Sequence, residues 1–281
     1  MSQTVSGRRS GGGIGLLHVA LGISAVIVLL PVLWAISSSL KPTGDLFDYP
    51  PRLLPTSPTL ENYVALFRTS PVAQWLFNSL WISVVVTAVG GLICVMGGFA
   101  LAKYNFVGRA ISLRITVAAL IVPFITLLVP LYVLISKTGL VDTYAGVIIP
   151  QLVQPFGVFL MAQYVTQTVP DEVLDSARVD GASELRLFRS IVLPVLRPGL
   201  AVLGVWLFLS AFNNFLWPLM VLSEPTKLTL PVGLAALSSG NQVQYGAVMA
   251  GVITTFLPPL LVFIALQRQF IQGLTRGALA N

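Results

Sequence analysis

Asn213, Asn214 and Trp217 lie within one helical turn or so of each other, Gln151 and Gln154 are three apart, and Thr126 completes a set of neutral polar side chains in otherwise apolar surroundings. Carboxamides donate and accept together, and an indole adds a flat apolar face with one donor. Such groups suit a neutral polyhydroxylated solute, held by hydrogen bonds and stacking. They serve equally as glue between helices in lipid, worth about 0.6–2 kcal/mol per bond, and both roles stay open at this point. Covalent and metal chemistry have little to work with. Cys94 and His18 are the single cysteine and histidine, which excludes an internal disulfide and a metal cluster. Ser210, Ser223 and His18 are far apart and form no nucleophile–base set. No catalytic residue and no metal ligand is expected. No G-x-x-x-x-G-K-[ST] run occurs to cradle a nucleotide.

The elements that must position these groups are membrane helices. Of 281 residues 56% are hydrophobic and only 9% charged, against about 25% charged in soluble domains. The mean hydropathy is +0.88. A disordered chain, a coiled coil or a disulfide scaffold is excluded. Six stretches carry no charge: 10–40, 69–102, 115–136, 143–170, 198–223 and 228–267. A bilayer core about 30 Å thick needs roughly 20 apolar residues per helix. Each stretch holds one, with spans expected at 14–37, 72–101, 112–135, 144–164, 199–222 and 245–266. None shows the short alternating pattern of barrel strands. The fold class is an all-α membrane protein with six transmembrane helices.

The Lys/Arg bias orients it. One side collects Arg8, Arg9, Lys103, Arg109, Arg114, Arg178, Arg186, Arg189, Arg197, Arg268 and Arg276; the other has Lys41, Arg52, Arg68, Lys137 and Lys227. The richer side is read as cytoplasmic, so both termini are cytoplasmic in a multi-pass plasma (inner) membrane protein of a bacterium or archaeon. The basic balance therefore describes one face of a membrane protein and calls for no nucleic acid. Residues 1–13 read as a flexible cytoplasmic leader, 14–37 as the first span, 38–71 as an outer loop, 72–266 as the membrane core and 267–281 as a cytoplasmic tail.

Local signals refine this division. In the outer loop, 59–68 reads as a short helix with Thr59 as cap and Leu60, Tyr63, Val64 and Phe67 on one face. Gly90, Gly91, Gly97 and Gly98 form two pairs seven residues apart, on one face of the second span, which allows close approach of another helix. Pro123, Pro130, Pro150, Pro155, Pro218, Pro258 and Pro259 fall in or beside spans. Each frees a backbone carbonyl that a neighbour or a cavity must satisfy.

The inner loop 170–198, PDEVLDSARVDGASELRLFRSIVLPVLRP, holds nine of the 26 charges in about a tenth of the chain. Asp171 and Glu172 suit the start of one helix, Gly181 its left-handed end, and Ser183 the cap of the next. Val173, Leu174 and Ala177 form one apolar strip, and Leu187, Phe188, Ile191 and Val192 a second, which Pro194 stops. The expectation is two short helices under the membrane, exposing an apolar and charged ridge to a cytoplasmic partner.

Asp175-Ser176-Ala177-x-x-Asp180-Gly181-Ala182, followed by Phe188, Ile191, Leu193-Pro194 and Pro198, resembles the EAA loop of permease subunits in binding-protein-dependent ABC importers. Asp175 and Ser176 stand where the usual pattern has Glu and Ala. Ser39-Leu40-Lys41-Pro42, Thr59-Leu60-Glu61-Asn62-Tyr63, Asn78-Ser79-Leu80 and the tail Gly273-Leu274-Thr275-x-Gly277-Ala278 are similar to the carbohydrate-type members, with Arg276 in place of a small residue. The chain looks most like the smaller permease of maltose-type systems.

That resemblance implies the type I ABC importer permease fold (MetI-like), with cytoplasmic coupling helices. It implies an ATPase-coupling set of Asp175, Ser176, Ala177, Asp180, Gly181, Ala182, Phe188, Ile191, Leu193 and Pro194, and an ATPase contact at Gly273, Leu274, Thr275 and Gly277. The implied partners are a second homologous permease, two ATP-binding subunits and an extracytoplasmic solute-binding protein, with a small neutral solute, a sugar, as cargo. This chain would hold no cofactor, ATP and Mg being bound by the partner ATPase, and it would not itself be an enzyme. Glycerol-3-phosphate or another polyol is the alternative cargo, and a membrane-embedded enzyme the alternative of a different class. Asn213, Asn214, Trp217, Gln151, Gln154 and Thr126 remain candidate pore or substrate contacts.

Overall fold

The computed structural model describes residues 11–239 and 244–278, with side chains described from 17 to 268 of these. Among the described residues all regular structure is helical. The elements in order are α1 (Gly11–Ser39), α2 (Glu61–Thr69), α3 (Val72–Lys103), α4 (Arg109–Ile121), α5 (Phe124–Lys137), α6 (Tyr144–Leu152), α7 (Pro155–Thr168), α8 (Asp171–Val179), α9 (Glu184–Val195), α10 (Arg197–Phe212), α11 (Leu216–Val221), α12 (Leu230–Ser238) and α13 (Tyr245–Ala278). The first helix starts at Gly11, inside the segment read as a leader; residues 1–10 of that segment lie outside the described residues.

Four stretches are long and apolar enough to cross a membrane: Leu17–Ser39, Val72–Lys103, Tyr144–Thr168 and Tyr245–Arg268. Two bent pairs raise the number to six if each counts once. The expected third span, 112–135, is not one helix: α4 and α5 meet at 107°. Val122 is extended (φ −75°, ψ 116°) ahead of Pro123, as a residue before proline prefers. At 1.5 Å per residue each half is about 20 Å long, short of the roughly 30 Å core. The expected fifth span, 199–222, is also interrupted. The helix ends at Phe212, and Asn213–Phe215 separate it from α11. The second bent pair is α9 with α10, at 80°, so the turn into this span comes from the inner loop.

Two compact units emerge, Met1–Thr69 with Gly240–Ile253, and Ser70–Ser239 with Thr254–Asn281. In the first, the large apolar side chains of α1 from Leu17 to Ile36, Val32 apart, keep between 36% and 69% of their surface exposed. A helix apolar all round is at home in lipid or against another membrane helix. The same unit explains why Ser39–Pro42 and Thr59–Tyr63 occur together. The Asn62 carboxamide donates to the Ser39 and Lys41 carbonyls at 2.9 and 2.7 Å, and the Tyr63 and Ser39 hydroxyls pair at 2.9 Å. The Thr59 amide donates to the Leu40 carbonyl at 2.8 Å. Lys41 is buried, donating to the Arg52 carbonyl and lying 4.8 Å from the centre of the Trp34 ring. Helix α2 buries Asn62 and Leu66; Leu60, Val64 and Phe67, on the face picked out by sequence pattern, are exposed. Polar anchoring by Asn62 fits this rotation, which leaves the apolar stripe on the exposed face.

In the second unit α3 packs closely on α6 and α7, and the glycine pairs are the reason. A β-carbon at Gly98 would lie 2.7 Å from both the Ala162 amide nitrogen and Met161 Cβ, and one at Gly90 2.9 Å from the Leu152 carbonyl oxygen. Gly157 returns the space, receiving the buried Cys94 side chain. Backbones this close are how small residues join helices in lipid. A π-helical stretch, Val86–Gly90, interrupts α3 midway. At its N-terminal end α3 is bracketed to the segment before α12. Asn78 Nδ2 donates to the Thr226 and Leu228 carbonyls, both at 2.9 Å, while its Oδ1 accepts from Tyr144 (3.0 Å) and Gln74 (3.1 Å). Trp75 donates to the Pro225 carbonyl at 2.7 Å, and the Leu230 amide to Ser79 Oγ at 2.8 Å. Nearby, Asp142 (φ +56°) accepts from the Ser223 and Glu224 amides at 2.9 and 3.0 Å and pairs with Lys227 at 2.9 Å.

Candidate functional site: the inner loop and the polar cluster

The loop 170–198 folds as two short helices joined by a turn. Asp175, Ser176 and Ala177 lie on α8, Asp180 closes it, and Gly181 takes φ +79°, the left-handed conformation that glycine adopts without a β-carbon clash. The Gly181 amide donates to Arg178 and the Ala182 amide to Ala177, both at 3.0 Å, closing the helix end as such caps do. Ser183 then caps α9 through the Arg186 amide at 3.4 Å. Phe188 and Ile191 fall in a second π-helical stretch, Phe188–Val192, and Leu193 and Pro194 follow it.

Arg178 ties the two helices together. It binds Asp175 at 2.9 Å and Glu184 at 3.0 Å, and Tyr104 donates its hydroxyl to the other oxygen of Glu184. The guanidinium, then the phenol, hold the Glu184 carboxyl below its ordinary range. Burial first, and the Glu184 carboxylate second, push the Tyr104 phenol up. Lys103, next in sequence, pairs with Asp171 at 2.7 Å. The last residue of α3 and the one after it therefore touch the first turns of both loop helices. Tyr104 did not stand out in the sequence, and Lys103 did so only as one of the basic residues that orient the chain. Their partners are 68 and 80 positions away, and no local pattern reports such a pairing.

The apolar strips split between two directions. Leu174, Leu187 and Val192 point inward, into a core with Val95, Phe99, Met161 and Val165. Phe188 packs on Phe99 with ring centroids 5.7 Å apart. The exposed ridge is made instead by Val173, Val179 and Leu185, the last two 87% and 64% exposed. The ridge expected of the loop is therefore exposed, but Val179 and Leu185, which lie outside the two strips, make most of it. Leu174 of the first strip and Leu187 and Val192 of the second anchor the loop, which leaves presentation to residues beside them. The tail residues Gly273, Leu274, Thr275 and Gly277 continue α13 as backbone, and their side chains lie outside the described residues.

Of the neutral polar set, Gln151, Asn214 and Trp217 come together. Asn214 donates to Gln151 Oε1 at 3.0 Å, and its own Oδ1 accepts from the Trp217 amide at 3.4 Å. Trp217 is fully buried, so its ring offers no face to a solute in this structure. Two of these side chains answer prolines. Pro150 cannot supply the amide that the Gly146 carbonyl would accept, and Trp217 Nε1 donates there at 3.2 Å. Pro155 likewise leaves the Gln151 carbonyl open, and Gln154 Nε2 donates to it at 3.2 Å. Gln154 also lines a mostly apolar groove of about 700 Å³ beside the α4–α5 bend, with Phe156 and Trp206. Asn213 and Thr126 are exposed; Thr126 bonds the Pro123 carbonyl at 2.7 Å and stands apart from the cluster. Among the described residues no group of three His, Cys, Asp or Glu is placed to hold a metal ion.

Comparisons with known proteins agree with this architecture. An arabinooligosaccharide transport system permease protein of Halalkalibacterium halodurans is 38% identical over 93% of this chain and 95% of its own length. An sn-glycerol-3-phosphate transport system permease protein of Yersinia enterocolitica is 30% identical over 92% and 94%. Among solved structures, a chain of a bacterial ABC transporter involved in import of the acidic polysaccharide alginate superimposes with a TM-score of 0.81 at 23% identity, covering 95% of this chain and 100% of that one. The profile of the binding-protein-dependent transport system inner membrane components matches residues 93–276, which takes in the inner loop, the polar cluster and most of the tail. The chain belongs to that family.

Proposed function

We propose that this chain is one of two homologous permease subunits that form the translocation pore of an ATP-driven sugar importer. The spans are six, counting α4 with α5 as one and α10 with α11 as one, and both termini face the cytoplasm. ATP and Mg are handled by two separate ATP-binding subunits, and an external solute-binding protein delivers the solute. The observation that carries this reading is the inner loop. It is a preformed, internally paired helix–turn–helix whose exposed apolar residues, Val179 and Leu185, flank the Gly181 turn. A rigid apolar tip with charge around it suits a cleft on another protein.

A sugar is favoured because the groups available between the spans are neutral. No Asp, Glu, Lys or Arg occurs within 72–101, 144–164, 199–222 or 245–266, whereas ion and proton pathways use such residues. The arabinooligosaccharide permease among the relatives points the same way. The glycerol-3-phosphate permease keeps a phosphorylated polyol as the second reading.

Deletion of 181–188 in the full complex tests the coupling role. Membrane insertion is expected to persist and the ATPase to stop co-purifying. Normal assembly and uptake in the deleted chain would sink the assignment. Equilibrium binding of sugars and of glycerol-3-phosphate to the cognate solute-binding protein separates the two cargo readings.

A further inference from the structure

Helix α3 is chemically tied at both ends. Its inner end holds the inner loop through Lys103–Asp171 (2.7 Å) and Tyr104–Glu184, one attachment on each loop helix. Its outer end holds the segment before α12 through Asn78, Trp75 and Ser79. From Val72 to Lys103 the helix runs 32 residues, about 48 Å. Along this length Gly90 and Gly98 seat α3 on α6 and α7 with no room for a β-carbon.

From this we propose that Lys103 and Tyr104 are positioning residues that fasten the inner loop to α3. Displacement of the loop then reaches the Asn78 bracket on the opposite face through one helix. The proposal rests on the reading of the loop as the ATPase docking element. Three features give it physical content. The Lys103 side chain is almost wholly buried while its partner carboxylate is largely exposed, so the pair lies at the rim of the packed core, where water screens it only in part. The Tyr104 ring also packs edge-on against Phe99, 5.4 Å away, and Phe99 touches Phe188 of α9. The phenol thus adds a directed bond to an apolar contact already present. Finally, Arg178 binds Asp175 and Glu184 together, so a force on either loop helix reaches Tyr104.

The test uses the complete importer, with its partner permease, ATPase subunits and binding protein, in proteoliposomes. Tyr104→Phe keeps the ring and removes the bond, and Lys103→Met keeps the stem and removes the charge. Solute transported per ATP hydrolysed is expected to fall about tenfold in the double variant, the scale of one charge-assisted hydrogen bond, with ATPase co-purification retained. The swap Lys103→Asp with Asp171→Lys should recover much of the ratio lost by Lys103→Asp alone. An unchanged ratio in the double variant overturns the proposal, as does a loss of transport that only follows a loss of assembled complex. Deleting 181–188 in parallel separates the two levels. If that deletion leaves assembly and transport intact, the docking role fails and the proposal with it. If the deletion abolishes assembly while the double variant keeps its ratio, the fastening role alone is overturned.

Discussion

Trp217 donates its indole hydrogen to the carbonyl oxygen of Gly146, 3.2 Å away and 71 positions earlier in the chain. That oxygen is free because the residue four positions on is Pro150. A tryptophan on one helix thus supplies the donor that a proline removed from another.

The relationship predicts a measurable coupling. Trp217→Phe leaves the Gly146 carbonyl buried and unpaired, at about 1–3 kcal/mol. Pro150→Ala restores a backbone donor to it, so the same Trp217→Phe change should cost less in that background. Thermal unfolding of the four purified chains in detergent measures the cycle. Equal penalties in both backgrounds would show that Trp217 acts by ring packing alone.

Two neighbouring glycines should respond very differently to the same methyl. At Gly98 the added carbon meets the Ala162 amide nitrogen and Met161 Cβ at 2.7 Å, whereas at Gly97 it meets only the Val158 side chain at 3.5 Å. Gly98→Ala is expected to destabilise by about 1–3 kcal/mol, as overpacking does. Gly97→Ala should be near neutral or slightly stabilising, since alanine favours helix. A shared melting temperature for the two variants would contradict the close α3–α7 approach.

Asp142 should make stability depend on pH in the acid range. The Lys227 ammonium first, then the Ser223 and Glu224 amides, lower its pKa from 3.8 to about 2. A carboxylate with a depressed folded pKa stabilises fully above its unfolded pKa and loses that contribution as pH falls through the folded one. The melting temperature of wild type should therefore exceed that of Asp142→Asn by a constant margin above pH 3.8 and converge with it towards pH 2. Because the site is partly exposed, the margin should also shrink in high salt. A margin that grows on acidification would reverse the assignment.

Asn62 should govern the order of the outer segment. Asn62→Ala removes both bonds to the Ser39 and Lys41 carbonyls, leaving those acceptors to find water. Limited proteolysis should then cut within 43–60 several-fold faster, while cleavage within 170–198 keeps its wild-type rate. Equal protection of 43–60 in the variant would assign the order of that segment to Lys41 and Trp34 instead.

Much of this architecture was legible in the chain. Charge-free stretches located the helices, and the glycine pairs announced the α3 contact, because both depend on local composition. Gly181 and Ser183 marked the inner turn and cap through conformational preferences that act within a few residues. The fold became unreadable where distant groups decide. The prolines said that carbonyls would be freed, but nothing nearby said that Trp217 and Gln154 would answer them. The break at Val122–Pro123 was signalled by proline, yet a 107° bend needs neighbours to hold it. The stripe Leu60, Val64 and Phe67 was legible and stays exposed, but nothing local said that Asn62 beside it would be buried against carbonyls some 20 residues earlier. The pairings of Lys103 and Tyr104 left no trace, since each joins a loop some 70–80 residues on.

The packing of Gly246 against Asn62 has a consequence for the order of biosynthesis. A β-carbon at Gly246 would collide with the Asn62 carboxamide oxygen, so the final helix seats directly on a bracket made near the start of the chain. Roughly 180 residues must leave the ribosome between the two, about 10–40 s at ordinary elongation rates. For that interval the Ser39–Asn62 bracket exists with one side uncovered.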